Sequence, residues 1–132
     1  MKGVRVVITG ASGAPILDAT IPGGLYDAVA RVGWKRNAKG TAFTYRNKSA
    51  TLIQGITAVS LRAKASVPGT WKFSVSGKNG TYPVAAAGAP VRGAFIIDAP
   101  IAATGQCGES VFPGPASPAC AFTANGATLR CK

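Results

Sequence analysis

Between residues 56 and 84 the side-chain character changes with nearly every residue, and that period leaves few folds open. Val59, Leu61 and Ala63 share one side with Thr57, whereas Ser60, Arg62 and Lys64 share the other. After Val67-Pro68-Gly69, Trp71, Phe73 and Val75 face one way and Thr70, Lys72, Ser74 and Ser76 face the other. Successive side chains of a strand point to opposite faces, so this alternation predicts two strands, each half-buried in a sheet. Gly77-Lys78-Asn79-Gly80 then leads into Thr81-Tyr82-Pro83-Val84. Asn-Gly between two such runs predicts a further hairpin, because both residues tolerate the positive φ of a tight turn. The stretch reads as a β-meander.

The flanking chain fits the same class. Seventeen glycines and nine prolines are spread through 132 residues rather than gathered into a linker, the pattern of many short strands joined by turns. Val4–Thr9 and Ile16–Ile21 form a predicted hairpin closed by Gly10–Pro15, and Thr41–Arg46 is a strand with Phe43 and Tyr45 on one face. Val91–Asp98 is apolar on both sides, as expected of a strand central in its sheet. Gln106–Phe112 follows. Leu25, Ala28, Val29 and Val32 have helical spacing and read as a short helix or turn, and Gly33–Gly40 reads as a polar loop. The expectation is one all-β domain over residues 1–132, an antiparallel β-sandwich or partly open β-barrel of roughly eight to ten short strands. Within it, residues 1–49 hold an N-terminal hairpin and loop region, and residues 50–132 the meander and a cysteine-containing C-terminal hairpin.

Val6-Val7-Ile8-Thr9-Gly10-Ala11-Ser12-Gly13-Ala14 looks like the strand and phosphate loop of nucleotide-binding α/β proteins. That device needs a long helix directly after the loop, whose N-terminus holds the phosphates. Pro22-Gly23-Gly24 would end such a helix too early, and the third glycine of the fingerprint is missing. The loop is a turn.

Fifteen lysines and arginines against four acids give a net charge of +11. Such a charge suits anionic partners, namely nucleic acid, lipid head groups or acidic polysaccharide, and it also keeps strand edges soluble. With no histidine in the chain, Ser-His-Asp and Cys-His devices and histidine metal sites are excluded. Asp18, Asp27, Asp98 and Glu109 are far apart in sequence, and the cysteines lack C-x-x-C spacing. No catalytic residue, metal-ligand set or cofactor motif is identified, so an enzyme is not expected. The candidate site is Trp34, Lys35, Arg36, Lys39, Tyr45, Arg46 and Lys48, where aromatics interleave with cations as on surfaces that stack bases or sugars and hold phosphate or sulfate. Core aromatics flanked by solvated cations would give the same pattern.

Cys107, Cys120 and Cys131 all lie near the C-terminus, which suggests a stapled loop in an oxidising compartment. A two-residue Asn125-Gly126 turn would place Phe122 opposite Leu129 and Cys120 opposite Cys131, with Cys120, Phe122, Leu129 and Cys131 on the core face. That turn makes the cysteines a hydrogen-bonded pair, a poor site for a bridge. The reading therefore favours Cys107–Cys120, closing the proline-rich loop, with the other two pairings open. No apolar run reaches the ~18 residues of a membrane span. Met1-Lys2-Gly3 is not followed by an export signal, which would have to lie outside this sequence.

Gly33-Trp34-Lys35, Thr44-Tyr45-Arg46-Asn47-Lys48, the run from Val75 to Val84, Ile96-Ile97-Asp98, the run from Gly105 to Glu109, and Leu129-Arg130-Cys131-Lys132 carry a resemblance. From Trp34 onward the chain resembles poorly characterised β-rich modules of large secreted bacterial proteins. The resemblance implies an extracellular or cell-surface location and a C-terminal disulfide, and its motifs include no catalytic signature. The expected function is a non-catalytic structural or binding module, self-associating or packed against neighbouring modules of a surface assembly. The alternative is a basic β-domain that binds nucleic acid or another polyanion through Trp34–Lys48.

Overall fold

A computed structural model describes residues 2–83, 90–98, 106–113, 119–123 and 128–131, and among them there are ten strands and no helix. Strands β1 (Gly3–Thr9), β2 (Pro15–Pro22), β7 (Val91–Ile97) and β8 (Cys107–Phe112) form a first sheet in the order β2-β1-β7-β8. Strands β3 (Val32–Arg36), β4 (Ala42–Asn47), β5 (Ile56–Ala63) and β6 (Trp71–Gly77) form a second sheet in chain order. A two-stranded ribbon joins β9 (Cys120–Phe122) to β10 (Leu129–Cys131). Every named pair is antiparallel, neither large sheet closes into a barrel, and the fold is an all-β sandwich.

The core lies where the two inward faces meet. In the first sheet Val4 and Val6 sit opposite Ile21 and Ala19 on one side and Ile97 and Phe95 on the other. In the second, Tyr45 pairs with Trp34 and Val59, and Leu61 lies between Phe43 and Phe73. Both sets belong to one buried cluster. Burying a side chain such as Ile21, Ile56 or Val59 contributes about 1.5–3 kcal/mol. Three contacts tie the layers together. The Trp34 indole N–H donates to the Pro22 carbonyl at 2.8 Å, the Gln54 amide donates to the Asp18 carbonyl at 2.7 Å, and Phe73 stacks on Phe95 with centroids 4.9 Å apart.

Of the short helix or turn read at Leu25–Val32, the structure has the turn: the Asp27 carboxylate accepts from the Val29 and Ala30 amides, and Tyr26 and Asp27 bond to Trp34 and Val32. Leu25 and Val29 are 87% and 94% exposed, so the helical spacing has no core to face. Three local expectations need correction. The span read as a polar loop begins as strand β3, whose edge position leaves only Gly33 and Trp34 buried. Thr57 does not share the phase of Val59, because a bulge between Ile56 and Ala58 turns both Ile56 and Val59 inward. Thr81–Pro83 does not form a strand after the Lys78–Gly80 turn. Pro83 has no N–H to give a ladder, and Tyr82 instead lies over Gly55, Gly77 and Gly80 and donates to the Gln54 carbonyl at 2.6 Å. A Cβ added at Gly77 would stand 2.6 Å from the Tyr82 hydroxyl, which is why a glycine fits there. Val84 and the Asn125-Gly126 turn lie outside the described residues.

The ribbon has the expected register, with Cys120 opposite Cys131 and Phe122 opposite Leu129. Its disulfide joins Cys120 to Cys131, and Cys107, exposed on β8, is free. The favoured Cys107–Cys120 pairing is thus corrected. The Thr123 amide donates to the Thr128 carbonyl, so alternation along the ladder makes the cysteines a non-hydrogen-bonded pair, in which side chains lie closer. The Cα atoms are 4.0 Å apart.

Candidate anion-binding face

Because the second sheet sends its aromatic and aliphatic residues inward, the alternate set must point to solvent. The register stacks that set into rows across the strands. One row is Lys35, Thr44, Ser60 and Ser74; the rows beside it hold Arg46, Ala58 and Ser76 on one side, and Ala42, Arg62 and Lys72 on the other. A strip of small hydroxylated side chains, ended by Lys35, therefore lies between a row that carries Arg46 and a row that carries Arg62 and Lys72. The result is an open groove of about 750 Å³ whose lining includes Arg31, Arg46, Lys48, Arg62, Ser60 and Ser74. A second hollow of about 320 Å³ adjoins it, sharing Thr44, Arg46 and Lys48 and adding Lys35 and Tyr26.

Two loops complete one end. Buried Asn47 donates to the Thr51 carbonyl at 3.0 Å and accepts from the Ser49 amide and hydroxyl, which fixes the turn that carries Lys48. The Lys48 amide donates to the Arg31 carbonyl at 2.9 Å, bringing the two cationic residues' backbones together. Arg31 itself has φ 59°, a left-handed conformation held by the Asp27 turn before it. Lys35 Nζ sits 4.4 Å from the centre of the Tyr26 ring, a cation–π contact.

The electrostatics are one-sided. Asp18 accepts both arms of Arg5 at 2.7 and 2.6 Å, Glu109 pairs with Arg92 at 3.0 Å, and Asp98 meets Lys2 at 3.4 Å. Hydrogen bonding from Arg5 holds the Asp18 carboxyl below its usual range, and Asp18 raises the Arg5 guanidinium in turn. The fourth acid, Asp27, is engaged with backbone amides. Every acid of the chain is thereby assigned, and among the described residues no cation of the groove has a carboxylate partner.

Lys35, Arg46 and Lys48 of the expected site come together here. Trp34 and Tyr45 do not: they are 3% and 1% exposed, with their rings 5.4 Å apart in the core. Burial raises the Tyr45 phenol, an effect that the neighbouring Asn47 side chain opposes. Arg36 shares the register of inward-facing Phe43 at the end of β3, and Lys39 stands in the β3–β4 turn; both are exposed and neither lines the groove. Sequence reasoning missed Arg31, Arg62, Lys72 and Lys78 and the hydroxyl strip. The available signals were the outward phase of β5 and β6 and the acid-free interval between Asp27 and Asp98.

Among the described residues no helix is long and apolar enough to cross a membrane. Compared with protein-family models, curated proteins and solved structures, the chain has no match.

Proposed function

We propose that this chain is a non-catalytic, extracellular binding module that holds an anionic polymer against the outer face of its second sheet. The observation that carries this reading is that, among the described residues, the groove has no carboxylate. Cations left unpaired on a shared surface raise the local anion concentration and repel one another until an anion bridges them. Guanidinium groups at Arg46 and Arg62 suit carboxylate, sulfate or phosphate oxygens. The Cys120–Cys131 disulfide favours an oxidising location, and the resemblance to modules of secreted bacterial proteins points the same way. Self-association or packing against neighbouring modules is a second reading, favoured by β8: it ends the first sheet with Val111 exposed, and an open edge invites pairing. Sedimentation over a range of concentrations tests it, and a monomer throughout removes it.

The test of the polyanion reading compares two double variants with equal loss of charge. Arg46→Ala with Arg62→Ala should weaken heparin binding by about tenfold or more, whereas Lys2→Ala with Arg130→Ala should change it by about twofold. Equal losses would reduce the face to general charge and overturn the reading.

A further inference from the structure

The strip of hydroxyls between the cationic rows distinguishes among polyanions. Building on the anionic-polymer reading above, we infer that the ligand is an acidic polysaccharide, sulfated or uronate-bearing, lying across the strands along Thr44, Ser60 and Ser74. Single-stranded nucleic acid is held by a cationic groove together with aromatic side chains on which its bases stack. The second sheet gives its floor none: Trp34, Phe43, Tyr45 and Phe73 all lie in the inward register, and Trp71 at the end of β6 shares it, its ring 6.1 Å from Phe43. Tyr26 lines the adjoining hollow rather than the groove, with Lys35 Nζ 4.4 Å from its ring centre.

What the floor does offer is hydroxyls. Ser60 and Ser74 share one hydrogen bond at 2.8 Å, which leaves the pair one donor hydrogen and several acceptor lone pairs. The Thr44 and Ser76 hydroxyls make no hydrogen bond to the described residues. A sugar hydroxyl both donates and accepts, so it can use those lone pairs. A DNA phosphodiester accepts from a hydroxyl but has no proton to donate, so it leaves those lone pairs unused. The spacing fits as well. Same-face rows lie about 7 Å apart and four strands span about 14 Å. A sugar chain centred on the hydroxyl row therefore has Arg46 on one flank and Arg62 and Lys72 on the other, within reach of acidic substituents on both edges.

Titration of the whole chain with a heparin-derived octasaccharide and with single- and double-stranded DNA of matched charge tests this. The octasaccharide should bind at least about tenfold more tightly than either DNA near 0.15 M salt, with a shallower dependence on salt, because part of its affinity is not ionic. Ser60→Ala with Ser74→Ala should weaken the octasaccharide about fivefold and DNA by less than about twofold. Equal affinities and equal salt slopes for sugar and DNA would overturn the saccharide assignment while keeping the polyanion face. Tighter DNA binding would overturn it in favour of a nucleic-acid surface. No binding of any probe would remove the polyanion reading itself. The comparison of ligands on the unaltered chain decides even if the double variant folds poorly.

Discussion

The two large sheets share a core but are built and charged in opposite ways. The second is a meander whose strands pair in the order they are made, whereas the first closes only when β7 returns to lie beside β1 after the whole second sheet. The outer face of the first is neutralised locally, Arg5 by Asp18 and Arg92 by Glu109. Among the described residues, the charged side chains on the outer face of the second are all cations, with Arg62 directly opposite Lys72. Like charges directly opposite destabilise a strand pair. The second sheet thus carries an unfavourable surface on a sound interior, and the favourable term must come from the core beneath or from a ligand above. The first sheet uses the same kinds of residue to settle its own charge.

If the interior holds both sheets as one unit, the largest stability loss should come from a residue that spans them. Trp34→Ala removes a buried indole and the hydrogen bond to the Pro22 carbonyl, with an expected loss of about 3–5 kcal/mol. Trp71→Ala, at a ring 45% exposed on the edge of the same sheet, should lose about 1 kcal/mol, the value of its aromatic contact with Phe43. Urea unfolding followed by fluorescence and by circular dichroism measures both. Similar losses for the two tryptophans, or separate transitions by the two probes, would mean that the sheets are not coupled through this edge.

A smaller effect separates stability from binding on the outer face. Lys72→Glu turns a repulsive cross-strand pair with Arg62 into an attractive one and should stabilise the fold by about 0.5–1 kcal/mol at low salt. The same change places a carboxylate in the cationic row and should weaken polyanion binding. The gain should fade as salt rises and the Debye length falls from ~30 Å at 0.01 M to ~8 Å at 0.15 M. A variant that loses stability, or that binds heparin as before, would show that the row is not a shared electrostatic surface.

These contrasts also explain what was legible in the sequence. β5 and β6 could be read because each has a core side and burial imposes the period, whereas β7 was legible as a run apolar on both faces, as a central strand requires. β3 could not, since an edge strand with Lys35 and Arg36 exposed shows too few apolar residues to reveal its period. Trp34 and Tyr45 carried no label of inside or outside; only their pairing with Val59 and its neighbours assigned them to the core. The ribbon's register followed from matching faces, but its hydrogen-bonding phase depends on the loop, and that phase decided which cysteines bond. The groove needed still more, because Lys35, Thr44, Ser60 and Ser74 become neighbours only once four strands are in register. The acid-free interval from Asp27 to Asp98 gave its charge in advance, though not its shape.

The smallest effect concerns acid, where the two faces should come to resemble each other. The Arg5 guanidinium holds the folded-state pKa of Asp18 below its ordinary value. A depressed folded-state pKa contributes stability that is present above the unfolded carboxylate value of about 3.9 and is lost as pH falls through the folded-state pKa. In that window the unfolded chain binds more protons, so stability should decline as pH drops below about 4. Asp18→Asn removes the titrating group and should flatten this part of the profile. Melting temperatures from neutral pH down to about pH 2 would show the difference between the two chains. Parallel profiles would mean that the Arg5–Asp18 pair adds nothing to the fold. The charge contrast between the sheets would then be a feature of the surface alone, felt by ligands and not by folding.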